Sequence, residues 1–567
     1  MTRLIVFALA VLAVPALAIG DDAWIPLNGA THPGPVVVNT SNAGTGAVRL
    51  DIVVPGFQRS SVESKGGRFT RLLVADAGIQ GQVGHPELPA LRLMVAIPYG
   101  GVPRLEVISE RIAETPLDQL GVTAPIVPVQ APVEKVPGAR EQAPWAFDQA
   151  VYARDAFQLA TMVSLGEPGF IRGRRFVELT VSPVDVNGAR GTARLLTELS
   201  VRVTVENADL ALTAARAARY GCREFDSLSR RLLVGGSSDA RDLNGMPEPP
   251  MLLIIAGSSW AGNANLLNFV DWKTDKGLRP VLVSTTETGS TTASIKSYIQ
   301  TAYDTWPIPP THVLLVGDTG VIPHWVGIGD DSPATDLNYT MLEGSDYFPD
   351  VDLGRWSVAD ATDLANIVNK TLSYEQIGWS GDNTWEKYTV FMASEDNYSI
   401  TEGTHNFVYS TYLQPDGYSC DKLYSHTYSA TTQQVRDAHN AGRSLSIYSG
   451  HGDVTYWADG PVFYQSDVNN LTNTVYPFVQ SYACLTGQYT SSECFSETWI
   501  RATRGAVGMM ASSVTSYWTE DDILEKRVME GFCANVNAGQ ENQTWTAGMM
   551  NYGKARFYAH FGGVPDT

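Results

Sequence analysis

Two residues in the carboxyl-terminal half carry the chemistry for attack on a carbonyl carbon. His451 lies between two glycines in SIYSGHGDVTYWADG, and Cys484 ends an apolar run in PFVQSYACLTG. The thiolate is the nucleophilic form of cysteine, and a neighbouring imidazole is one of the groups that activates it. Imidazole also titrates near neutrality, which suits it to protonate a leaving amine. Gly450 and Gly452 allow unusual backbone angles and close approach of a substrate. The peptide N–H groups of Gly452 and Cys484 are the donors to aim at a tetrahedral oxyanion. Each residue has a plainer alternative. Cysteine is among the most often buried side chains, a small core hydrophobe, and a histidine between glycines can be a turn residue with no task.

Position separates these two from that background. Residues 444–448 and 477–482 have the length and the β-branched or aromatic content of buried strands. If they lie parallel in one sheet, His451 and Cys484 emerge at the same carboxyl edge, where open α/β sheets place their ligand sites. The surrounding chain has the matching pattern. From Met251 onward, apolar runs at 251–257, 279–285, 312–318, 351–357, 388–394 and 506–513 alternate with helical patterns such as 263–276, 291–305, 361–377 and 433–441. Continuous apolar strands with helical crossovers predict a mostly parallel sheet covered by helices on both faces.

The first half reads differently. Runs such as AVRLDIVVPGF, ALRLMVAIPYG, FVELTVSPVDV and LLTELSVRVTVE alternate, are short, and are separated by Gly, Pro, Asn and Asp. They predict an all-β sandwich over 19–231. Within it, residues 116–144 are proline-rich and read as a long loop or extended crossover. Residues 232–250 are rich in Gly, Ser, Asp and Pro and read as a linker. Arg230, Arg231 and Arg241 in and beside it are candidate processing sites, since exposed linkers are where proteolytic nicking concentrates. The domain from 251 to 567 ends in HFGGVPDT, which resembles a turn rather than a finished edge.

Composition narrows the function classes. The net charge of −20 excludes a nucleic-acid partner, which needs a basic face. Arg3, the apolar stretch 4–14 and Ala16-Leu17-Ala18 form a signal peptide over 1–18, so an exported protein is expected, secreted or at the cell surface. Five cysteines are too few for a disulfide scaffold, and none has zinc spacing. The motif GDTG at 317–320 lacks the lysine of a phosphate loop.

SIYSGHGDVTYWADG followed by FVQSYACLTG resembles the active-site pair of the gingipain-type cysteine peptidases, family C25, whose fold is similar to that of caspases and legumain. HVLLVGDTGVIP, ATDLNYTMLEGSDYFPDVDLGRWSV, KTLSYE and VFMASED add matching blocks in the family's order, and HPELPALRLMVAIPYG resembles its pro-domain. The resemblance implies a caspase-like α/β domain and a zymogen whose own pro-domain is its inhibitor. It implies Cys484 as nucleophile, His451 as general acid/base and Glu395 as the carboxylate orienting the imidazole. It implies cleavage after Arg or Lys, with Glu402 at the base of the primary pocket and Trp518 in its wall. No cofactor is implied for catalysis. The family's structural calcium makes Asp336, Asp346, Asp350 and Asp352 candidate ligands, against a plain reading as turn aspartates.

The expected molecule is thus a monomeric, exported cysteine endopeptidase acting on proteins or peptides. Two alternatives use the same residues: a transpeptidase that passes the acyl group to an amine, and a surface or adhesion module that kept the fold without the activity.

Overall fold

Alternation in the first half produces strands with one buried face. In the strand Arg174–Val181 every second residue from Val177 on is buried, with one extra at Phe176, and its neighbour Leu88–Ile97 is apolar almost throughout. The computed structural model describes residues 23–42, 46–236, 249–328, 332–376, 383–533 and 541–563. The candidate signal peptide and Arg241 lie outside them.

Two five-stranded sheets dominate the amino-terminal domain. One runs Val163–Ile171, Arg174–Val181, Leu88–Ile97, Leu233–Val234, with Gly78–Gln80 also on Leu88–Ile97. The other is built on Thr192–Val205, which pairs with Ala47–Val53 on one side and with Pro103–Pro116 on the other. Leu93, Val95, Val177 and Leu179 from the first sheet share one apolar cluster with Leu50, Ile52, Val201 and Val203 from the second. Two sheets closing on one core is the expected arrangement for strands with a single apolar face.

In the second half the strands form two parallel sheets rather than the single sheet expected. The first has the order Arg279–Ser284, Met251–Ala256, Pro310–Val316, Asp352–Trp356. The second has the order Ser419–Tyr424, Tyr388–Ala393, Leu445–Ser449, Phe478–Tyr482, Gly508–Ala511. Both sheets are built from short, largely buried strands, so the pattern of runs does not mark where one sheet stops. Each sheet has an apolar cluster on both faces. Helix Thr292–Thr305 closes one face of the first sheet and helices Ala264–Asp275 and Ala361–Gln376 the other. The second is covered likewise by Phe495–Arg501 on one face and Trp518–Phe532 on the other. Leu253, Ile254 and Ile255 are fully buried in succession. Such burial stabilises by roughly 1.5–3 kcal/mol per side chain and explains the continuous apolar runs.

The junction also departs from expectation. Arg230 and Arg231 lie in the helix Arg223–Leu232, and Leu233–Val234 then pairs parallel with Leu88–Ile97. The described chain therefore remains in regular structure beyond Arg231. Among the described residues no helix is long and apolar enough to cross a membrane.

Candidate active site

Strand register sets the site. Leu445–Ser449 and Phe478–Tyr482 are adjacent, parallel and fully buried, with Leu445 opposite Phe478 and Ser449 opposite Tyr482. His451 lies two residues past Ser449, and Cys484 two residues past Tyr482. Equal offsets from a matched pair bring both side chains to one rim. Behind them, Ser481 Oγ accepts from Trp457 Nε1 at 2.9 Å and bonds Thr486 Oγ1 at 2.9 Å, which locks the turn after the cysteine strand. Gly452 runs so close to that turn that a Cβ on it would come 2.8 Å from the Cys484 carbonyl oxygen. Only glycine fits there.

The partner of His451 is Asp396, not Glu395. His451 Nε2 lies 3.0 Å from Asp396 Oδ2. Glu395 points away, its exposed carboxylate 3.2 Å from His426 Nδ1. The choice between adjacent acids is made by the backbone. The strand Tyr388–Ala393 ends before the pair, and Asn397 takes a left-handed φ of 48°. Leu485, directly after Cys484, has φ 60°. Non-glycine residues in this region cost roughly 1–3 kcal/mol and cluster where a site over-determines them.

A segment of the amino-terminal domain occupies the cleft. Lys135 N donates to Ser516 O at 2.8 Å, Trp518 N donates to Val133 O at 3.2 Å, and Glu134 bridges Tyr517 in antiparallel sense. The carbonyl oxygen of Lys135 accepts from His451 Nδ1 at 2.5 Å and lies 3.5 Å from Cys484 Sγ. One peptide oxygen thus joins the imidazole and the thiol. The Lys135 side chain runs into a pocket between the two strand ends and the helix Trp518–Phe532. Its ammonium is 2.8 Å from Asp521 Oδ2, 2.7 Å from Tyr482 O and 3.3 Å from Ser449 Oγ. The Trp518 ring lies 5.2 Å from that ammonium and packs edge-on against the His451 ring. Lys135 is 2 % exposed, so its charge is removed from water and is compensated by these groups.

Charge in the cleft follows from burial. The Cys484 thiol is pushed up by desolvation, which the N–H of Ser516, 3.3 Å from the sulfur, opposes. Glu520, beside Asp521 in the first turn of the pocket helix, is pushed up to about 7, chiefly by burial.

Trp518, Cys484, His451 and Gly452 are brought together; the remaining candidates are not. Glu402 accepts from Thr427 N at 3.0 Å and from Thr427 Oγ1, so its carboxylate is engaged with the helix Ser425–Tyr428. Asp521 is the acid in the pocket instead. Arg231 is buried, its guanidinium donating to Gly531 O at 2.6 Å and Glu530 O at 2.7 Å. Arg230 is half-exposed on the same helix, 3.5 Å from Glu541. Neither sits in an open linker.

The four aspartates are also engaged separately. Asp336 pairs with Arg355 at 2.7 Å, and Asp352 accepts from Asn551 at 2.8 Å and Trp545 at 3.1 Å. Asp346 and Asp350 accept backbone N–H groups of Phe170 and Arg172, each at 2.8 Å. Among the described residues no group of three or more His, Cys, Asp or Glu is arranged to hold a metal ion, so these four do not fit a shared calcium.

Sequence reasoning missed Asp396, Asp521 and Lys135. Asp521 follows Trp518 by three residues, and on a helix that spacing places both on one face. Lys135 stands alone as a cation within PVEKVPG, between prolines that keep the segment extended.

Residues 246–563 match peptidase family C25, and residues 29–218 match the C25 propeptide. Lys-gingipain W83 of Porphyromonas gingivalis is 29 % identical over 474 residues, covering 82 % of this chain and 27 % of that protein. Gingipain R2 of the same species is 27 % identical over 380 residues, covering 64 % of this chain and 50 % of that protein. The crystal structure of the Arg-specific cysteine proteinase gingipain R aligns with a TM-score of 0.49 at 26 % identity, covering 55 % of this chain and 73 % of that one. The chain spans about a quarter of the length of the Lys-gingipains it matches. With the C25 match extending over more than half its length and the propeptide match ahead of it, the chain belongs to peptidase family C25.

Proposed function

We propose that the chain is a latent cysteine endopeptidase that cleaves after lysine and is silenced by its own pro-domain. The observation that carries this is Lys135: a lysyl residue stretched through the cleft as a substrate would be, ammonium on Asp521, carbonyl oxygen beside His451 and Cys484. Three acceptors around one nitrogen suit the three N–H bonds of an ammonium; a planar guanidinium needs a longer, forked site. The similarity to proteins named Lys-gingipain supports the same preference.

In the proposed reaction a lysyl substrate takes the place of Lys135. His451 takes the proton of the Cys484 thiol as the sulfur attacks the carbonyl carbon, and the N–H groups of Gly452 and Cys484 are the donors assigned to the oxygen that gains charge. His451, oriented by Asp396, gives its proton to the leaving amine. Water then attacks the thioester, His451 takes a proton from it, and Cys484 leaves. No cofactor is needed for these steps. The leader at 1–18 supports export, and the substrates are proteins or peptides.

The test is hydrolysis of lysyl, arginyl and norleucyl peptides by the chain freed of its pro-domain. Lysyl peptides are expected to be cut at least tenfold faster than the others, and Cys484→Ala to abolish cutting. Equal rates on norleucyl peptides, or activity retained in Cys484→Ala, overturn the proposal. An added amine acceptor that is ligated in preference to hydrolysis identifies a transpeptidase.

A further inference from the structure

The pro-domain also meets the catalytic domain away from Cys484: Arg231 donates to Gly531 O and Arg92 to Ala559 O at 3.0 Å, and a hairpin docks on the first parallel sheet. Strands Val163–Ile171 and Arg174–Val181 form a hairpin whose turn residues, Arg172 and Gly173, have φ 41° and 71°. That turn enters the amino end of the first parallel sheet. The Arg172 guanidinium donates to Pro310 O at 2.6 Å, Asp350 O at 2.9 Å, Thr311 Oγ1 at 3.3 Å and Pro309 O at 3.4 Å. Its Nε donates to Tyr220 O at 3.0 Å, from the pro-domain's own helix. The whole side chain is 2 % exposed. Carboxylates of the catalytic domain accept the hairpin's backbone as well: Asp350 from Arg172 N at 2.8 Å, Asp346 from Phe170 N at 2.8 Å, and Glu343 from Gly173 N at 2.9 Å.

The Lys135 and Arg172 contacts face different requirements. A pocket that turns over lysyl substrates has to release lysine, so Lys135 occupies it in competition with every substrate. The Arg172 slot has no turnover to serve. It meets the fixed guanidinium fork with four oxygens of the catalytic domain in a buried site, each bond having an ionised donor. We propose that this slot is a guanidinium-binding site that retains the pro-domain after the connection between the domains is cut, while Lys135 only blocks the cleft. This regulation rests on the peptidase reading, but retention is measured without any cleavage of substrate.

The experiment uses the full chain in a Cys484→Ala background, with a site-specific protease sequence placed in the connection after Gly236. After cutting, gel filtration at micromolar concentration reads whether the two pieces co-elute. Wild-type and Lys135→Ala pieces are expected to stay together. Arg172→Ala pieces are expected to separate, with a dissociation constant at least a hundredfold higher, and Arg172→Lys to fall between. If Arg172→Ala fails to fold, wild type decides: millimolar methylguanidinium is expected to weaken co-elution and methylammonium to leave it unchanged. Separation of Lys135→Ala with retention of Arg172→Ala overturns the proposal. So does equal insensitivity of wild type to both cations.

Discussion

Lys135 and Asp521 lie on different domains, 386 residues apart in the chain, yet their charged atoms are 2.8 Å apart inside a closed pocket. On the proposed reading Asp521 serves two ligands in turn, the pro-segment lysine and the substrate lysine. Removing its charge leaves a buried ammonium without its counter-ion, which costs about 3–5 kcal/mol. Asp521→Asn is therefore expected to lower kcat/KM on lysyl peptides by a hundredfold or more. Steady-state kinetics on the freed enzyme check this, and a change under threefold would remove Asp521 from the pocket.

The adjacent acids Glu395 and Asp396 give a sharp contrast. Only Asp396 reaches the imidazole, at 3.0 Å; Glu395 is on the surface beside His426. Losing the orienting carboxylate of such a site lowers kcat by up to roughly 10⁴-fold. Asp396→Asn is expected to lose at least a hundredfold in kcat, and Glu395→Gln to stay within twofold of wild type. The reverse ranking would restore the residue that family resemblance pointed to.

How far the sequence reached is visible in these same residues. The strand ends bearing His451 and Cys484 were legible because short runs rich in aliphatic and aromatic residues favour burial, and the proposed catalytic pair follows them directly. Asp396 was not, because a left-handed turn at Asn397 decides which of two neighbouring carboxylates turns inward, and asparagine adopts that angle only sometimes. Asp521 was not, because pocket membership depends on how helix Trp518–Phe532 is docked. The division of the parallel strands into two sheets is equally silent in composition. The aspartates at 346 and 350 looked free for a cation because their donors, the hairpin N–H groups of Phe170 and Arg172, lie more than 170 residues away in sequence.

Accessibility of Cys484, the proposed nucleophile, depends on Lys135. The Cys484 side chain is covered by the segment whose carbonyl oxygen it touches at 3.5 Å, and its thiol is pushed up by that burial. Truncation at Lys135 removes the ammonium anchor and opens a polar, water-filled pocket beside the thiol. In the uncut chain, Lys135→Ala is expected to speed alkylation of Cys484 by iodoacetamide at least tenfold, read by mass spectrometry of the peptide containing Cys484. Unchanged labelling would mean that the pro-segment stays seated without its lysine.

Glu520 supplies a pH dependence with a definite sign. Burial, with Asp521 alongside, pushes its carboxyl from the ordinary 4.5 up to about 7, against the opposing pull of Lys135. Between those values the folded latent chain holds a proton that the unfolded chain has released. Stability from this group is therefore complete below about pH 4.5 and is lost as pH rises through about 7. The full amount is on the order of 3–4 kcal/mol, since one pH unit of displacement corresponds to about 1.4 kcal/mol. Glu520→Gln cannot ionise and lacks this term. Calorimetry of the uncut Cys484→Ala chain at pH 5 and pH 8 should show the wild-type Tm falling relative to Glu520→Gln by a few degrees across the range. A difference between the two proteins that is independent of pH would mean that Glu520 is already ionised in the latent state.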